Sequence, residues 1–268
     1  MSVSAAESGT RIVTFNANGI RAAQRKGFFE WMRRVSPDVV CIQETKAQEH
    51  QLTLEDFHPK GYHCVYNDAE RKGYSGTAVY SRVKPRKVIS RLGWEPVDSE
   101  GRYLQFDYDK LSVISLYVPS GSSSEQALAK KFTFMEGFFE HLQTLRRKRR
   151  EFVICADWNT CHQNIDLKNW RSNQKNSGFL PEERAWLDRI YDELGYIDSF
   201  RLVNPNEERY TWWSNRGQAW AKNVGWRLDY QMITPKLAVE VKAASIYRDE
   251  RFSDHAPQIM DYGFTLQS

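Results

Sequence analysis

Short apolar runs bounded by turn residues recur along the whole chain, and this recurrence limits the possible folds more than any other feature. Several runs are rich in β-branched or aromatic residues, which is typical of strands. The runs are Arg11–Phe15, Val39–Gln43, Tyr62–Tyr66, Gly76–Ser81, Tyr103–Asp107, Leu111–Val118, Phe152–Ala156, Asp229–Thr234, Val239–Ile246 and Ile259–Phe264. The sequence therefore predicts sheets that draw strands from both halves of the chain.

Three helical patterns lie between these runs, at Arg21–Val35, Glu125–Arg149 and Pro181–Leu194. In the second pattern, apolar residues recur at helical spacing and give the helix one apolar face. The third begins with proline and two glutamates, which suit the first turn of a helix. Interspersed strands and helices predict an α/β fold whose sheets are covered by helices on their outer faces.

We expect a single domain over residues 11–268, because no linker rich in glycine, serine or proline divides the chain. Residues 1–10 are small and polar and lack the hydrophobic segment of a secretory signal, which predicts a disordered tail. No apolar stretch approaches the length of a membrane span. We expect a cytoplasmic monomer with no membrane association.

The cysteines and the net charge constrain the partner only weakly. The four cysteines match no zinc-binding spacing, and Cys41 and Cys155 lie inside apolar strand-like runs. Reduced, buried thiols are the simplest interpretation. The formal net charge of +4 is compatible with a polyanionic partner without proving one.

Eight polar residues lie beside the strand-like runs, where side chains of neighbouring strands can converge on one rim of a sheet. They are Asn16, Glu44, Tyr117, Asp157, Asn159, Asp229, Asp254 and His255. A carboxylate directly after a buried strand loses hydration and needs a cation. An Asp-His pair among carboxylates suits metal-assisted phosphate hydrolysis.

Each of these residues alone has a plain structural interpretation. Glu44 can pair with a neighbouring lysine, and Asp229 can pair with Arg227. The segment Asp157-Trp158-Asn159 can form a turn or a helix cap, because Asp and Asn favour both. The dipeptide Asp254-His255 can simply belong to a loop. The functional interpretation rests on all of them occurring together and in order.

Taken in order, seven local motifs resemble the exonuclease III type of apurinic/apyrimidinic (AP) endonuclease, within the DNase I-like endonuclease/exonuclease/phosphatase superfamily. The motifs are Phe15-Asn16-x-Asn18-Gly19, Gln43-Glu44, Gly73-Tyr74-Ser75-Gly76, Tyr117-x-Pro119, Asp157-Trp158-Asn159, Trp226-Arg227-Leu228-Asp229-Tyr230 and Ser253-Asp254-His255. The resemblance extends from Arg11 to about Phe264. It implies a four-layer α/β sandwich, in which two mixed sheets pack face to face between outer helices and the active site lies at one end.

The same resemblance implies a metal site and a catalytic set. The implied metal ligands are Asn16, Glu44, Asp157, Asn159, Asp254 and His255, with Glu44 as the principal one. Tyr117 and Asn159 would hold the scissile phosphate. Asp157 would align the attacking water, accept its proton, or bind a second metal. His255 would hydrogen-bond the phosphate, oriented by Asp229. Oxygen ligands favour Mg²⁺, with Mn²⁺ able to substitute.

The implied DNA contacts are Asn18, Arg21, Lys46, Tyr74, Lys222, Trp212, Trp226 and Leu228. Of these, Trp212, Trp226 and Leu228 would form a wall that admits a flipped, base-free sugar. We expect Trp213, by contrast, to pack in the core. The basic run Arg146–Arg150 is interpreted as cations at the end of a helix, where the dipole favours them, rather than as a nucleic-acid patch or a localisation signal.

The resemblance implies Mg²⁺-dependent cleavage 5′ to abasic sites, with 3′-phosphodiesterase/phosphatase and 3′-to-5′ exonuclease activity. The partner would be double-stranded DNA with abasic sites or blocked 3′ ends. The segment Ser120–Ser124 lacks the basic or bulky residue that some relatives insert into DNA, which leaves substrate preference open.

Two other functions fit the same scaffold. The chain is also similar to catabolite repression control proteins, which are RNA-linked regulators, around Lys168-Asn169-Trp170 and Gly178-Phe179-Leu180. Those proteins have lost key carboxylates and amides that this chain retains. A phosphatase of inositol lipids or of peptide–DNA adducts fits the Trp226–Tyr230 segment poorly.

Overall fold

The computed structural model describes residues 9–268, and two six-stranded mixed sheets form its centre. The first sheet contains β1 (Thr10–Asn16), β2 (Val39–Gln43), β3 (His63–Asn67), β4 (Thr77–Ser81), β13 (Val241–Ile246) and β14 (Gln258–Tyr262). Its spatial order is β13-β14-β1-β2-β4-β3. Strands β1 and β2 are parallel, and all other neighbours are antiparallel.

The second sheet has the order β5-β6-β7-β8-β12-β9. Its strands are β5 (Lys87–Ile89), β6 (Tyr103–Asp107), β7 (Leu111–Tyr117), β8 (Glu151–Asp157), β9 (Ile197–Asp198) and β12 (Asp229–Ile233). Only β7 and β8 are parallel among its neighbours. A separate two-stranded ribbon pairs β10 (Trp212–Trp213) with β11 (Gly225–Trp226).

The two sheets share a core because successive side chains of a strand point to opposite faces. In β2, Val39 and Cys41 pack in a cluster with Phe106 and Val153 of the second sheet. The alternate residues Val40 and Ile42 pack against helices on the other face instead. Strands buried on both faces read as continuous apolar runs, which explains why these runs dominate the sequence.

The described residues form seven α-helices around the two sheets. They are α1 (Ile20–Arg25), α2 (Phe28–Val35), α3 (Glu95–Asp98), α4 (Glu125–Arg146), α5 (Trp170–Asn173), α6 (Pro181–Asp192) and α7 (Ser199–Val203). Helices α1 and α2 pack on the first sheet, and α4 and α6 pack on the second. The predicted four-layer α/β sandwich is therefore confirmed.

The ten predicted strands all form, each within two residues of its predicted bounds. The single helix predicted over Arg21–Val35 is wrong, because Gly27 adopts φ +88°, a left-handed conformation that ends one helix and starts the next. Helix α4 ends at Arg146, three residues before its predicted end. Beyond the end of the helix, the guanidinium of Arg150 donates a hydrogen bond to the carbonyl of Leu111 at 3.3 Å, next to the first residue of β8.

Two further expectations concern the N-terminal tail and membrane-spanning helices. Most of the predicted tail, residues 1–8, lies outside the described residues, and Thr10 opens β1. Within residues 9–268, no helix is long and apolar enough to cross a membrane.

Candidate active site

The predicted site residues meet at one end of the two sheets. Asn16 ends β1 and Glu44 follows β2, its parallel neighbour. In the second sheet, Tyr117 and Asp157 end the parallel strands β7 and β8, and Asp229 of antiparallel β12 pairs with Asp157. The two ends adjoin, because the amide of Asn16 donates to Asp157 Oδ2 at 2.8 Å.

A cavity of about 760 Å³ opens at this end, and we call it the central cavity. The predicted site residues that line it are Asn16, Asn18, Glu44, Lys46, Tyr117, Asp157, Asn159, Trp212, Trp226, Leu228, Asp254 and His255. Asp229 is fully buried behind it. The cavity thus brings twelve residues from distant parts of the chain into one concave surface.

Three predicted DNA contacts lie outside the central cavity. Arg21 on α1 and Lys222 are exposed. Tyr74 is half-buried, and its hydroxyl accepts a hydrogen bond from Arg102 Nη2 at 3.0 Å. These three residues remain predicted DNA contacts, since a duplex extends well beyond a single cavity.

His255 is held between two aspartates. Its Nδ1 lies 2.8 Å from Asp229 Oδ2, and its Nε2 lies 3.9 Å from Asp157 Oδ2. Burial by itself lowers the pKa of His255, but the charge and hydrogen bond of Asp229, helped by Asp157 and Asp254, outweigh burial and raise the pKa to about 10. The ring is therefore an imidazolium at neutral pH, with Nδ1–H donating to Asp229.

The alternative pairing of Asp229 with Arg227 is wrong. The Arg227 guanidinium instead bonds Asp166 at 2.8 Å and Asp198 at 2.7 Å, away from the cavity. This leaves Asp229 free to orient the imidazole of His255.

Asp157 is a buried carboxylate with several donors around it. Its Oδ1 accepts from the backbone N–H of Asn159 at 2.9 Å, and its Oδ2 accepts from Asn16. Burial, and then the charge of Asp229, raise the pKa of Asp157 to about 7, although His255 opposes the shift. A carboxylate with this pKa can accept a proton near neutrality.

Glu44 has a strained backbone, with φ +54°, that is held by hydrogen bonds from neighbouring loops. Its side-chain Oε1 accepts from the hydroxyl of Tyr117, and its Oε2 lies 3.2 Å from Lys46 Nζ. The lysine pair considered from the sequence is therefore present. Left-handed backbone at a residue other than glycine or asparagine costs free energy and concentrates at functional sites.

Asp254 also lines the central cavity. Its Oδ1 accepts from the Asn18 amide at 2.9 Å, and its Oδ2 accepts from Trp212 Nε1 at 3.0 Å. The Trp212 ring contacts Trp226 edge to face, with centroids 6.1 Å apart. Trp213 is fully buried, which confirms the expectation for it.

The donor chemistry of the cavity fits a hard divalent cation. Among residues 9–268, ligand atoms of Asp157, Asp229 and His255 lie within 4.8 Å of one another, and Glu44 and Asp254 line the same cavity. The pKa of Asp157 is raised mainly by burial and then by the charge of Asp229, and a bound cation would favour its ionised form. Asp229 was not among the predicted metal ligands, and its Oδ1 is buried without a hydrogen-bond partner. Carboxylate oxygens of this kind suit Mg²⁺ or Mn²⁺.

Sequence reasoning missed two buried cations next to the site. The guanidinium of Arg102 lies 4.7 Å above the Tyr117 ring and donates to the Tyr117 carbonyl at 2.9 Å. No sequence pattern indicated this contact. Lys131 is fully buried beneath Asn159. Its position on the apolar face of α4, one turn before Phe134 and Met135, was a detectable signal.

Comparison with known proteins agrees with this geometry. The profile of the endonuclease/exonuclease/phosphatase family matches residues 13–255. The chain belongs to this family.

Similar members of the family are nucleases by name. An exodeoxyribonuclease of Bacillus subtilis (strain 168) is 37% identical over 92% of this chain and 97% of its own length. The DNA repair nuclease APEX1 of Danio rerio is 35% identical over 92% of this chain and 80% of its own. A solved AP endonuclease from Archaeoglobus fulgidus superimposes with a TM-score of 0.86 at 30% identity, covering 94% of this chain and 99% of that one. The family predicted from the motifs is confirmed.

Proposed function

We propose that this protein is a metal-dependent DNA-repair nuclease that hydrolyses the phosphodiester 5′ to abasic sites. We include 3′-phosphodiesterase/phosphatase and 3′-to-5′ exonuclease activity on blocked 3′ ends. The observation that carries the proposal is the buried Asp229–His255–Asp157 arrangement, which opens into a cavity with a tryptophan wall. A regulator that only binds RNA would not require these catalytic side chains to be intact.

The first step of the proposed mechanism is phosphate binding. Imidazolium Nε2–H of His255 and the side-chain amide of Asn159 are hydrogen-bond donors beside the cavity, and the Tyr117 hydroxyl would become a third donor by releasing its bond to Glu44. Donors that are fixed before the reaction stabilise negative charge as it develops on the non-bridging oxygens. Asp229 keeps the imidazole protonated and correctly oriented.

The second step is attack by water. Asp157 aligns the water and accepts its proton, because burial and the charge of Asp229 raise the pKa of its carboxyl. The new bond forms between the water oxygen and phosphorus, the bond from phosphorus to the 3′-oxygen breaks, and the 3′-oxygen leaves as an alkoxide that takes a proton from solvent. His255 and Asn159 remain hydrogen-bonded to the phosphate throughout.

We propose Mg²⁺ as the cofactor, with Mn²⁺ able to substitute. Glu44 would be its principal ligand, with Asn16, Asp157 and Asp254 nearby, whereas the His255 imidazolium has no free nitrogen lone pair to offer a cation. When bound, the cation withdraws negative charge from the phosphate and from the leaving oxygen. Lys46 would then exchange its contact with Glu44 for a DNA phosphate.

The proposed substrate is duplex DNA with an abasic site. A base-free deoxyribose is small and partly apolar, so Trp212, Trp226 and Leu228 can admit it while excluding a complete nucleotide. We propose that Asn18, Lys46 and the exposed Arg21 contact the DNA, together with Tyr74 and Lys222. Phosphate contacts set affinity and register without sequence preference.

The test compares initial nicking rates on a labelled duplex with one abasic analogue and on the matched undamaged duplex. With Mg²⁺, we expect much faster cleavage of the abasic duplex, no cleavage in EDTA, and a smaller difference between the duplexes for Trp226→Ala. Equal rates on both duplexes would contradict the proposal that the tryptophan wall selects a base-free sugar. No cleavage of either duplex with Mg²⁺ would favour the regulator.

A further inference from the structure

A buried ion pair joins two outer helices directly behind the central cavity. Lys131 of α4 and Glu183 of α6 are both fully buried. The ammonium donates to Glu183 Oε1, to the Asn159 carbonyl at 2.7 Å and to Thr160 Oγ1 at 3.0 Å, which uses all three of its N–H groups. Apolar residues often pack two helices as well as a buried ion pair does, so packing alone does not account for this one.

The lysine end of the pair holds the main chain of Asn159. Asn159 has φ +49°, and the Lys131 ammonium fixes its carbonyl. The side-chain amide of Asn159 then donates to the Val118 carbonyl at 2.8 Å, next to Tyr117. Displacement of the carbonyl would therefore move the amide that faces the cavity.

The glutamate end holds a neighbouring loop that also lines the cavity. Glu183 Oε1 accepts from Ser177 Oγ at 3.0 Å, and Oε2 accepts from the backbone N–H groups of Gly178 and Leu180 at 2.6 and 2.9 Å. All three of these loop residues line the central cavity.

Gly178 of this loop lies between Trp226 and Asn159. It has φ +97°, and a Cβ there would lie 3.1 Å from a ring carbon of Trp226 and 3.4 Å from the Asn159 carbonyl oxygen. The loop therefore has little freedom to move unless Asn159 or Trp226 moves with it.

We infer that Lys131 and Glu183 are positioning residues, which set the separation between the amide of Asn159 and the cavity wall at Trp226. This inference rests on the proposed nuclease function. Neither side chain lines the cavity, so both act through the groups that they hold. A displacement of about 1 Å far from the reacting atoms can cost roughly 100-fold in rate.

The test begins with Lys131→Met, which keeps the length of the side chain and removes its charge and donors. On the abasic duplex we expect kcat to fall by about 10- to 100-fold with KM within about threefold, since duplex contacts are unchanged. The matched control is Leu142→Ala, a core truncation on the same helix. It should lower stability and leave kcat near the wild-type value, at a temperature where circular dichroism shows all variants folded.

A double-mutant cycle with Asn159→Ala separates positioning from general loss of structure. If Lys131 acts through Asn159, then Lys131→Met in the Asn159→Ala background should change kcat by less than about threefold, because coupled residues are not additive. Lys131→Arg should restore part of kcat. Independent, multiplied effects of the two substitutions would overturn the inference.

The neutral pair Lys131→Met with Glu183→Gln covers the case in which Lys131→Met alone does not fold. It leaves no unpaired buried charge, and we expect the same loss of kcat and the same lack of additivity with Asn159→Ala. A folded neutral pair with wild-type kcat would overturn the inference. Failure of the wild-type enzyme to cut the abasic duplex would instead refute the proposed function, so the two failures are distinguishable.

Discussion

The His255 imidazole combines a hydrogen bond to Asp229 with a second nitrogen that lies 3.9 Å from Asp157. If it stabilises charge on the phosphate, His255→Ala should lower kcat by roughly 100-fold or more, the scale of losing one preorganised donor. Asp229→Asn should act in the same direction by removing orientation and positive charge.

Single-turnover cleavage of the abasic duplex measures both effects. His63→Ala, which alters an exposed histidine on edge strand β3, is the control and should keep full activity. Near-normal turnover by His255→Ala would exclude the proposed role of the imidazolium.

Individual residues also show how far the sequence alone could lead. Residue types and local context identified Glu44, Asp157 and His255 as candidates, and the structure brings them to one cavity. Residue types and local context did not reveal that Arg227 pairs with Asp166 rather than with Asp229, because the three-dimensional fold decides which charged side chains meet.

At the scale of elements, the contact of α4 with the second sheet contains a titratable group. The ring of His141 packs edge to face on Tyr103 of β6, and its Nε2 lies 3.3 Å from the Tyr103 hydroxyl. Burial, with a smaller effect from Lys148, lowers the pKa of His141 from 6.5 to about 4. Its folded pKa lies below the unfolded value, so its contribution to stability is present above pH 6.5 and is lost as the pH falls through about 4.

We predict that the free energy of unfolding, measured in urea, falls between pH 7 and pH 4 by about 3 kcal/mol at most from this histidine, since one pKa unit corresponds to about 1.4 kcal/mol. His141→Gln should remove that part of the decline, and His63→Gln should not. Identical pH profiles for wild type and His141→Gln would contradict the assignment.

Strand and helix prediction succeeded where an apolar run or a helical pattern was long enough to stand out from the residues around it. The runs that became β1, β2 and β8 are of this kind. The two-residue strands β10 and β11 are too short to carry a period, and they form because Trp212 and Trp226 pair across the ribbon beside the cavity.

At the scale of the whole molecule, a bound cation would join the two sheets. Glu44 follows β2 of the first sheet, and Asp157 ends β8 of the second. A ligand that binds only the folded state stabilises it, by about 2.7 kcal/mol at 100 times Kd. We therefore predict that saturating Mg²⁺ raises Tm by about 5 °C or more over EDTA.

Calorimetry without DNA measures this effect independently of activity. Glu44→Gln should lose most of the rise in Tm, whereas Glu136→Gln, on the exposed surface of α4, should keep it. Equal Tm values in Mg²⁺ and in EDTA would argue against a cation bound between the sheets.

Convergence of the whole site could be expected from family resemblance but not from local patterns. Asn16 and Asp157 are 141 positions apart, and only the packing of one sheet on the other brings them within 2.8 Å. The packing of α4 on the second sheet places Lys131 beneath Asn159, a contact that no motif records.

Strand β1 has its two neighbours at very different distances along the chain: β2 follows soon after it, whereas Thr10 pairs with Tyr262 of β14. A ribosome that adds about 5–20 residues per second completes β14 roughly 10–50 s after β1. During that interval β1 has an unpaired edge, which is a template for aggregation. Asp254 and His255 are also still to be synthesised. A growing chain, surrounded by nucleic acid, thus has no working cleavage centre until its last strand emerges.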